Sequence, residues 1–209
     1  MTDILVLGAG GHARVVADII RLLGSYRVAG FLDEIHPHRY GSVYEGATIL
    51  GGADLLAELG TRVQHAVVAI GDNEARLRLA AAAIRHGFEL PVLVHPTAII
   101  ASSVEVGAGS VVGAGAVINP ATTIGANVII NTGATVDHDC AIEDGVHIGP
   151  GVHIGGHVKV GRAALFGVGS AVKPWTSIGA AATVGVGAAV VADVPAGCTV
   201  AGVPARVLP

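Results

Sequence analysis

Aromatic rings are scarce in this chain. Of 209 residues only three are Phe, three Tyr and one Trp, yet 52% are hydrophobic. A core without rings must be built from small branched side chains in thin, regular layers. Cysteine is as scarce: Cys140 and Cys198 are too few for a disulfide framework, and reduced thiols in a cytoplasmic protein are expected. There is no basic run and the net charge is −4, which disfavours nucleic acid as a main partner. No window reaches ~18 uninterrupted apolar residues, so no membrane span is expected. The opening MTDILVLGAGGHARVV lacks a positive region and a cleavable apolar stretch, so no signal peptide is expected.

What the chain does have is small residues in order. The 31 glycines follow no collagen period. Charged residues lie mostly before Pro91; after it come Gly, Ala, Val and Ile with single polar residues between. Two domains are therefore expected, 1–90 and 91–209. From Val94, every sixth residue is apolar through Ile100, Val106 and Val112 to Val184 and Val190, seventeen consecutive positions. All but Phe166 are Val or Ile, and Gly often follows. A period of six fits neither a helix, near 3.6, nor a hairpin strand, at 2. It fits short strands with a corner after each, coiling into a parallel β-helix with the branched residue inward and rungs ~4.8 Å apart. The supply of aliphatic residues exceeds what a prism interior needs, a weak sign of contacts with other chains.

The first ninety residues read differently. A strand over 4–10, a helix over 12–24, a strand over 28–34, a helix over 53–60, a strand over 65–73 and a helix over 74–87 predict a small parallel α/β sheet. Gly8-Ala9-Gly10-Gly11-His12-Ala13 matches G-x-G-x-x-A at the strand-to-helix turn. Such a turn holds a phosphate with backbone N–H groups at a helix N-terminus. Asp33 lies about 20 residues on, where a ribose hydroxyl would bind. A nicotinamide cofactor is one reading. The domain is only half a dinucleotide fold, however, and no second domain offers hydride chemistry. A nucleotide sugar carries the same diphosphate and ribose.

The six-residue repeat resembles the left-handed parallel β-helix of hexapeptide acyltransferases, with three sides per coil, so that residue i lies under i+18. The left hand is implied by the resemblance; the usual crossover rule gives the opposite. GAGGHARVV, VAIGDNEAR (68–76) and NTGATVDHDCAIEDGVHIGPG (131–151), taken together, resemble bacterial nucleotide-sugar N-acetyltransferases of the sialic-acid O-acetyltransferase-like hexapeptide-repeat family. The fold implied is a small Rossmann-like domain followed by a left-handed parallel β-helix. The activity implied is acetylation of the 4-amino group of a nucleotide-linked amino-deoxy sugar, with acetyl-CoA as co-substrate, no metal, and a place in glycan biosynthesis. The family forms homotrimers, with acetyl-CoA in the groove between neighbouring helices.

The resemblance also implies site residues. His138 is the expected general base, its type suited by a pKa near working pH, and Asp139 stands where the family has an acidic neighbour, often Glu. Asn131 matches a residue beside the reacting amine, and His147 a histidine near the thioester. Gly8, Gly10, Gly11, His12, Asp33 and Gly71 are expected to bind the nucleotide sugar. Val168, Gly169, Gly185 and Arg206 join His147 as expected acetyl-CoA contacts, Arg206 because the tail resembles the family's C-terminal exit. Direct attack by the amine needs no acyl-enzyme, so Cys140 is not required as a nucleophile. Three rivals stand: sugar O-acetylation, a zinc-dependent carbon dioxide hydratase using some of His138, His147, His153 and His157, and a nucleotide-binding scaffold without turnover.

Overall fold

A computed structural model describes residues 1–208. The chain divides into two compact units, Met1–Pro96 and Thr97 onward. The boundary lies six residues later than the composition shift suggests. Leu93 is fully buried and the segment Leu93–Val94 packs on the first helix, so these residues belong with the α/β unit although Val94 carries the repeat phase.

In the first unit the strands β1 (Thr2–Leu7), β2 (Tyr26–Leu32), β3 (Val43–Tyr44), β4 (Ala47–Gly51) and β5 (His65–Val68) form a sheet in the order β3-β4-β2-β1-β5. Four strands are parallel; β3 alone runs antiparallel, to β4. The β3–β4 hairpin is absent from the pattern-based reading because β3 is only two residues long. Its Glu45–Gly46 turn, with φ +46° and +84°, is the local signal for it, since two-residue hairpin turns favour positive φ. Helices α1 (Gly11–Leu23), α2 (Leu56–Leu59) and α3 (Asn73–Arg85) complete the unit. The expected helix over 53–60 is a 3-10 turn followed by a single α turn. Gly24 ends α1 in the left-handed region, its N–H donating to the Ile20 carbonyl.

The second unit is a parallel β-helix. Two-residue strands alternate with four-residue corners and stack into three parallel sheets with a register of eighteen residues. The first face carries Thr135–Val136 and His153–Ile154, the second Ala141–Ile142 and Lys159–Val160, the third Ile129–Ile130 and His147–Ile148. Every repeat position from Val112 to Val190 is buried, each worth about 1.5–3 kcal/mol against exposure. Ala116, Val128, Ala134, Val146, Val152, Val158 and Ala164 fill the corners, while Leu165, Val168, Val186 and Val191 stay exposed.

Corner residues adopt left-handed φ in three columns, one per edge. On the edge from third to first face the column is glycine: Gly115, Gly133, Gly151, Gly169 and Gly187. On the edge from first to second face it is Ala121, Asp139, His157 and Trp175. A non-glycine residue held there costs on the order of 1–3 kcal/mol. No helix among the described residues is long and apolar enough to cross a membrane.

Candidate active site

In the α/β unit the ends of β1, β2 and β5 open into a cavity of about 430 Å³. Gly8, Gly10, Gly11, His12, Asp33 and Gly71 all line it. Gly8 turns at φ +119°, and a Cβ there would lie 2.7 Å from the Ala69 carbonyl oxygen, so only glycine fits. A Cβ at Gly10 or Gly11 would meet nothing within 4 Å. These two glycines keep the cavity open rather than relieve a clash. Gly10 caps α1 without a side-chain bond and the first turn holds no acid. In contrast, the Asp72 carboxylate accepts from the Ala75 N–H at 2.7 Å and closes the start of α3. The start of α1 thus turns an uncapped, positive dipole end to the cavity.

Asp33 is buried, and its carboxylate is already engaged. Oδ1 accepts from the Ile35 N–H at 3.0 Å; Oδ2 lies 3.1 Å from His36 Nδ1 and accepts from Arg39 at 3.3 Å. A carboxylate has about four lone-pair sites, so the arrangement orients Asp33 and leaves capacity for a hydroxyl. Arg39 also donates to the Ala9 carbonyl at 2.9 Å, and the Tyr44 hydroxyl to the Gly10 carbonyl at 2.9 Å. Arg76 is buried beneath the opposite wall. It donates to the carbonyls of Ile70 and Gly71 at 2.9 and 3.2 Å and to Asn73 Oδ1 at 2.8 Å, and desolvation lowers its pKa to about 10. Arg39, Tyr44 and Arg76 escape motif reading because nothing in the Gly-rich fingerprint specifies them.

In the β-helix, His138 and Asp139 occupy the edge between first and second faces. The imidazole Nδ1 lies 2.7 Å from Asp139 Oδ2. The side chains are about half exposed. The Asp139 hydrogen bond, with the charges of Asp137 and Asp139 behind it, raises the His138 pKa above its ordinary value against an opposing desolvation. Asp137 accepts from the His138 N–H at 2.8 Å and from Asn119 Nδ2 at 2.8 Å, and the Asn119 bond first of all lowers its pKa. Buried Thr122 locks the same corner, donating to the Asp137 carbonyl and accepting from the Cys140 N–H. Gly156, one coil on, lies under the His138 ring: a Cβ there would sit 2.9 Å from Cε1 and Nε2. Cys140 points inward, Sγ 3.2 Å from the Gly155 carbonyl oxygen, and burial raises its thiol pKa. That makes it a poor nucleophile.

Asn131 and His147 form a second cluster, Asn131 Nδ2 lying 3.4 Å from His147 Nε2. They belong to the third face and the edge that follows it. Val168, Gly169 and Gly185 continue that edge upward, and Arg206 sits on a strand added to the top of the third face, paired with Ala201. Exposed Val168 and Val186 stack one coil apart there. Within one chain, then, His138–Asp139 and Asn131–His147 stand on different edges of the prism.

The four histidines weighed as zinc ligands do not converge. His153 meets Thr135 at 2.9 Å instead. The donors that do gather are His138, Asp139 and His157, within 4.8 Å of one another. Trp175 stands outside the motif-based reading, and His157 enters it only as a candidate zinc ligand. The i+18 step from Asp139 is the signal that finds them.

The PglD N-terminal domain model matches residues 3–83, and the bacterial transferase hexapeptide model, six repeats, matches 121–156. Over nearly its whole length the chain is similar to the acetyltransferase domain of PglB from Neisseria gonorrhoeae FA1090 in complex with acetyl coenzyme A. The identity is 41% over 99% of this chain and 98% of that one, with a TM-score of 0.92. It is also similar to perosamine N-acetyltransferase from Caulobacter crescentus, solved with CoA and GDP-perosamine as a histidine-to-asparagine mutant. There the identity is 39% over 100% of this chain and 98% of that one, with a TM-score of 0.95. A curated relative, the UDP-N-acetylbacillosamine N-acetyltransferase of Bacillus subtilis (strain 168), is 35% identical over 115 residues. That match spans 53% of this chain and about half, 51%, of that protein. With these neighbours the β-helix is of the left-handed class.

Proposed function

We infer the reaction from one premise: the chain belongs to the family of acetyl-CoA-dependent sugar N-acetyltransferases that join a PglD N-terminal domain to bacterial transferase hexapeptide repeats. The acceptor in this reading is the 4-amino group of a nucleotide-linked amino-deoxy sugar. The observation that carries the chemistry is the 2.7 Å contact between His138 Nδ1 and Asp139. With Nδ1–H donating to the carboxylate, Nε2 keeps its lone pair and can act as a base.

The amine nitrogen attacks the thioester carbonyl carbon and a tetrahedral oxyanion forms. His138 Nε2 takes the proton that the nitrogen loses. The C–S bond breaks, and the departing thiolate of CoA recovers a proton. Asp139 stabilises the imidazolium in between. His147, with Asn131 beside it, serves as the polar group at the thioester. The α/β cavity binds the diphosphate at the start of α1 and the ribose near Asp33.

The reading includes a homotrimer, with acetyl-CoA in a groove shared by two protomers; the separation of the two clusters supports a shared site. If both serve one reaction, they meet when the edge bearing His138 in one protomer faces the edge bearing His147 in its neighbour. The exposed Val168 and Val186 give that edge an apolar strip for the pantetheine, and Arg206 a positive charge for phosphate. Acetyl-CoA and nucleotide sugars are cytoplasmic metabolites, which supports a cytoplasmic enzyme.

Free-thiol release from acetyl-CoA, measured over a panel of nucleotide-linked amino and hydroxy sugars, tests the reading. Turnover confined to 4-amino sugars is expected. Turnover only with hydroxy sugars makes the enzyme an O-acetyltransferase. Nucleotide-sugar binding without any thiol release makes it a scaffold.

A further inference from the structure

The edge that carries His138 continues past it into side chains with no part in the reaction just described. One coil above Asp139 stands His157, and one coil above that Trp175; all three have left-handed φ, at +57°, +58° and +64°. The neighbouring edge fills this position with glycine five times running, and Ala121 fills it one coil below Asp139. Asp and His enter the left-handed region more readily than most side chains, but a bulky residue such as Trp175 there is an outlier that persists only where the surroundings hold it.

Its contacts lead back to the base. The Trp175 indole stacks on the His157 imidazole with centroids 3.7 Å apart and planes at 11°. The His157 ring meets the His138 ring edge to face, at 5.2 Å and 90°. His157 Nε2 lies 3.6 Å from Asp139 Oδ2, the oxygen that also receives His138 Nδ1. The His157 N–H donates to the His138 carbonyl at 3.0 Å, and the Trp175 N–H to the Gly156 carbonyl at 3.0 Å, so the backbones of these corners are tied in turn. Trp175 is 73% exposed. It is not there to fill a core.

We propose that His157, clamped by the face of Trp175, is a positioning residue for the catalytic pair: it holds the Asp139 carboxylate in the rotamer that presents Oδ2 to His138 Nδ1. A half-exposed aspartate on a surface corner has other rotamers open to it, and in those His138 loses its partner. A second imidazole at the same oxygen, itself immobilised by stacking, narrows that choice. Asp137 is not a competing anchor for the ring, because it is held by Asn119 and the His138 backbone N–H.

The inference rests on His138 being the base. It is tested with the full-length enzyme and acetyl-CoA by steady-state kinetics on His157→Ala, Trp175→Ala, Trp175→Phe and Asp139→Asn, and on the His157→Ala/Asp139→Asn double variant. Alanine already stands at left-handed corners at 121, 163 and 181, so the backbone accommodates both alanine variants. His157→Ala and Trp175→Ala are expected to lower kcat by roughly tenfold, the coupling usual for groups in one network, with both KM values unchanged. The acid limb of the pH profile should move to lower pH, as in Asp139→Asn, and Trp175→Phe, which keeps a stacking face, should restore kcat. In the Asp139→Asn background, His157→Ala should add nothing. Full additivity in that background, or unchanged kcat in His157→Ala, overturns the positioning role. Unchanged kcat in a folded His138→Ala control overturns instead the reading beneath it, so the two failures are told apart.

Discussion

The two units build their sites by opposite means. The α/β unit makes a concavity, and the residues that define it are mostly absences: Gly10 and Gly11 leave space, and α1 begins without a side-chain cap. The β-helix makes a convex edge, and what defines its site is what projects: His138, Asp139, His157 and Trp175 at corners where the neighbouring edge carries glycine. A site made of space fails when bulk is added, and the failure shows in binding. A site made of projecting groups fails when atoms are removed, and the failure shows in turnover.

The largest effect should come from the edge. His138→Ala is expected to lower kcat by roughly 10²–10⁴-fold, the usual worth of a general base, while nucleotide-sugar affinity by calorimetry stays near its original value. The same variant probes the shared groove. Co-expressed with a differently tagged chain carrying a bulky change at Gly169, and purified through both tags, it should regain activity that neither parent has. Each mixed assembly can hold one interface with both walls intact. Full activity in a species that light scattering shows to be monomeric would break the comparison between edges at its root.

A smaller and opposite effect is expected from the cavity. Gly10→Val adds a side chain whose Cβ meets nothing within 4 Å, so the fold should persist, with Tm lowered only by the poorer N-cap. KM for the nucleotide sugar should rise by about tenfold, a loss of about 1.4 kcal/mol, with KM for acetyl-CoA unaltered. A drop in kcat alone, with binding untouched, would show that the loop does not hold the substrate.

The smallest effect concerns pH. The Asp139 hydrogen bond raises the His138 pKa, so the base is protonated, and idle, up to a higher pH than an isolated histidine would be. Asp139→Asn removes the charge, and the acid limb of kcat/KM should move to lower pH while the plateau falls. A limb that stays in place would mean that another group titrates there.

How much of this was legible in the chain follows the same division. The β-helix announces itself because one residue in six must be small, branched and buried on every coil, and no other fold imposes that period. The Gly8–Ala13 turn is legible because phosphate cradles need glycine at fixed offsets. The β3–β4 hairpin was not, since the two residues of β3 carry no period of their own. Nor were Arg39, Tyr44 and Arg76, whose roles lie in reaching carbonyls some five to thirty-four residues away.

By itself the sequence determined the coil: a phase of six held from Val94 to Val190 leaves the chain one way to bury its Val and Ile side chains while pairing every strand. It also marked His138 and Asp139, because neighbouring polar residues stand out in an aliphatic run. Only the tertiary structure decided which residues eighteen or thirty-six places away meet them. Stacking of coils sets His157 against Asp139, Trp175 against His157 and Gly156 under the His138 ring. It also assigns Asn131 and His147 to a different edge. Those neighbours are fixed by the pitch of the coil and the width of its faces, quantities that belong to the folded prism and to no local stretch of chain.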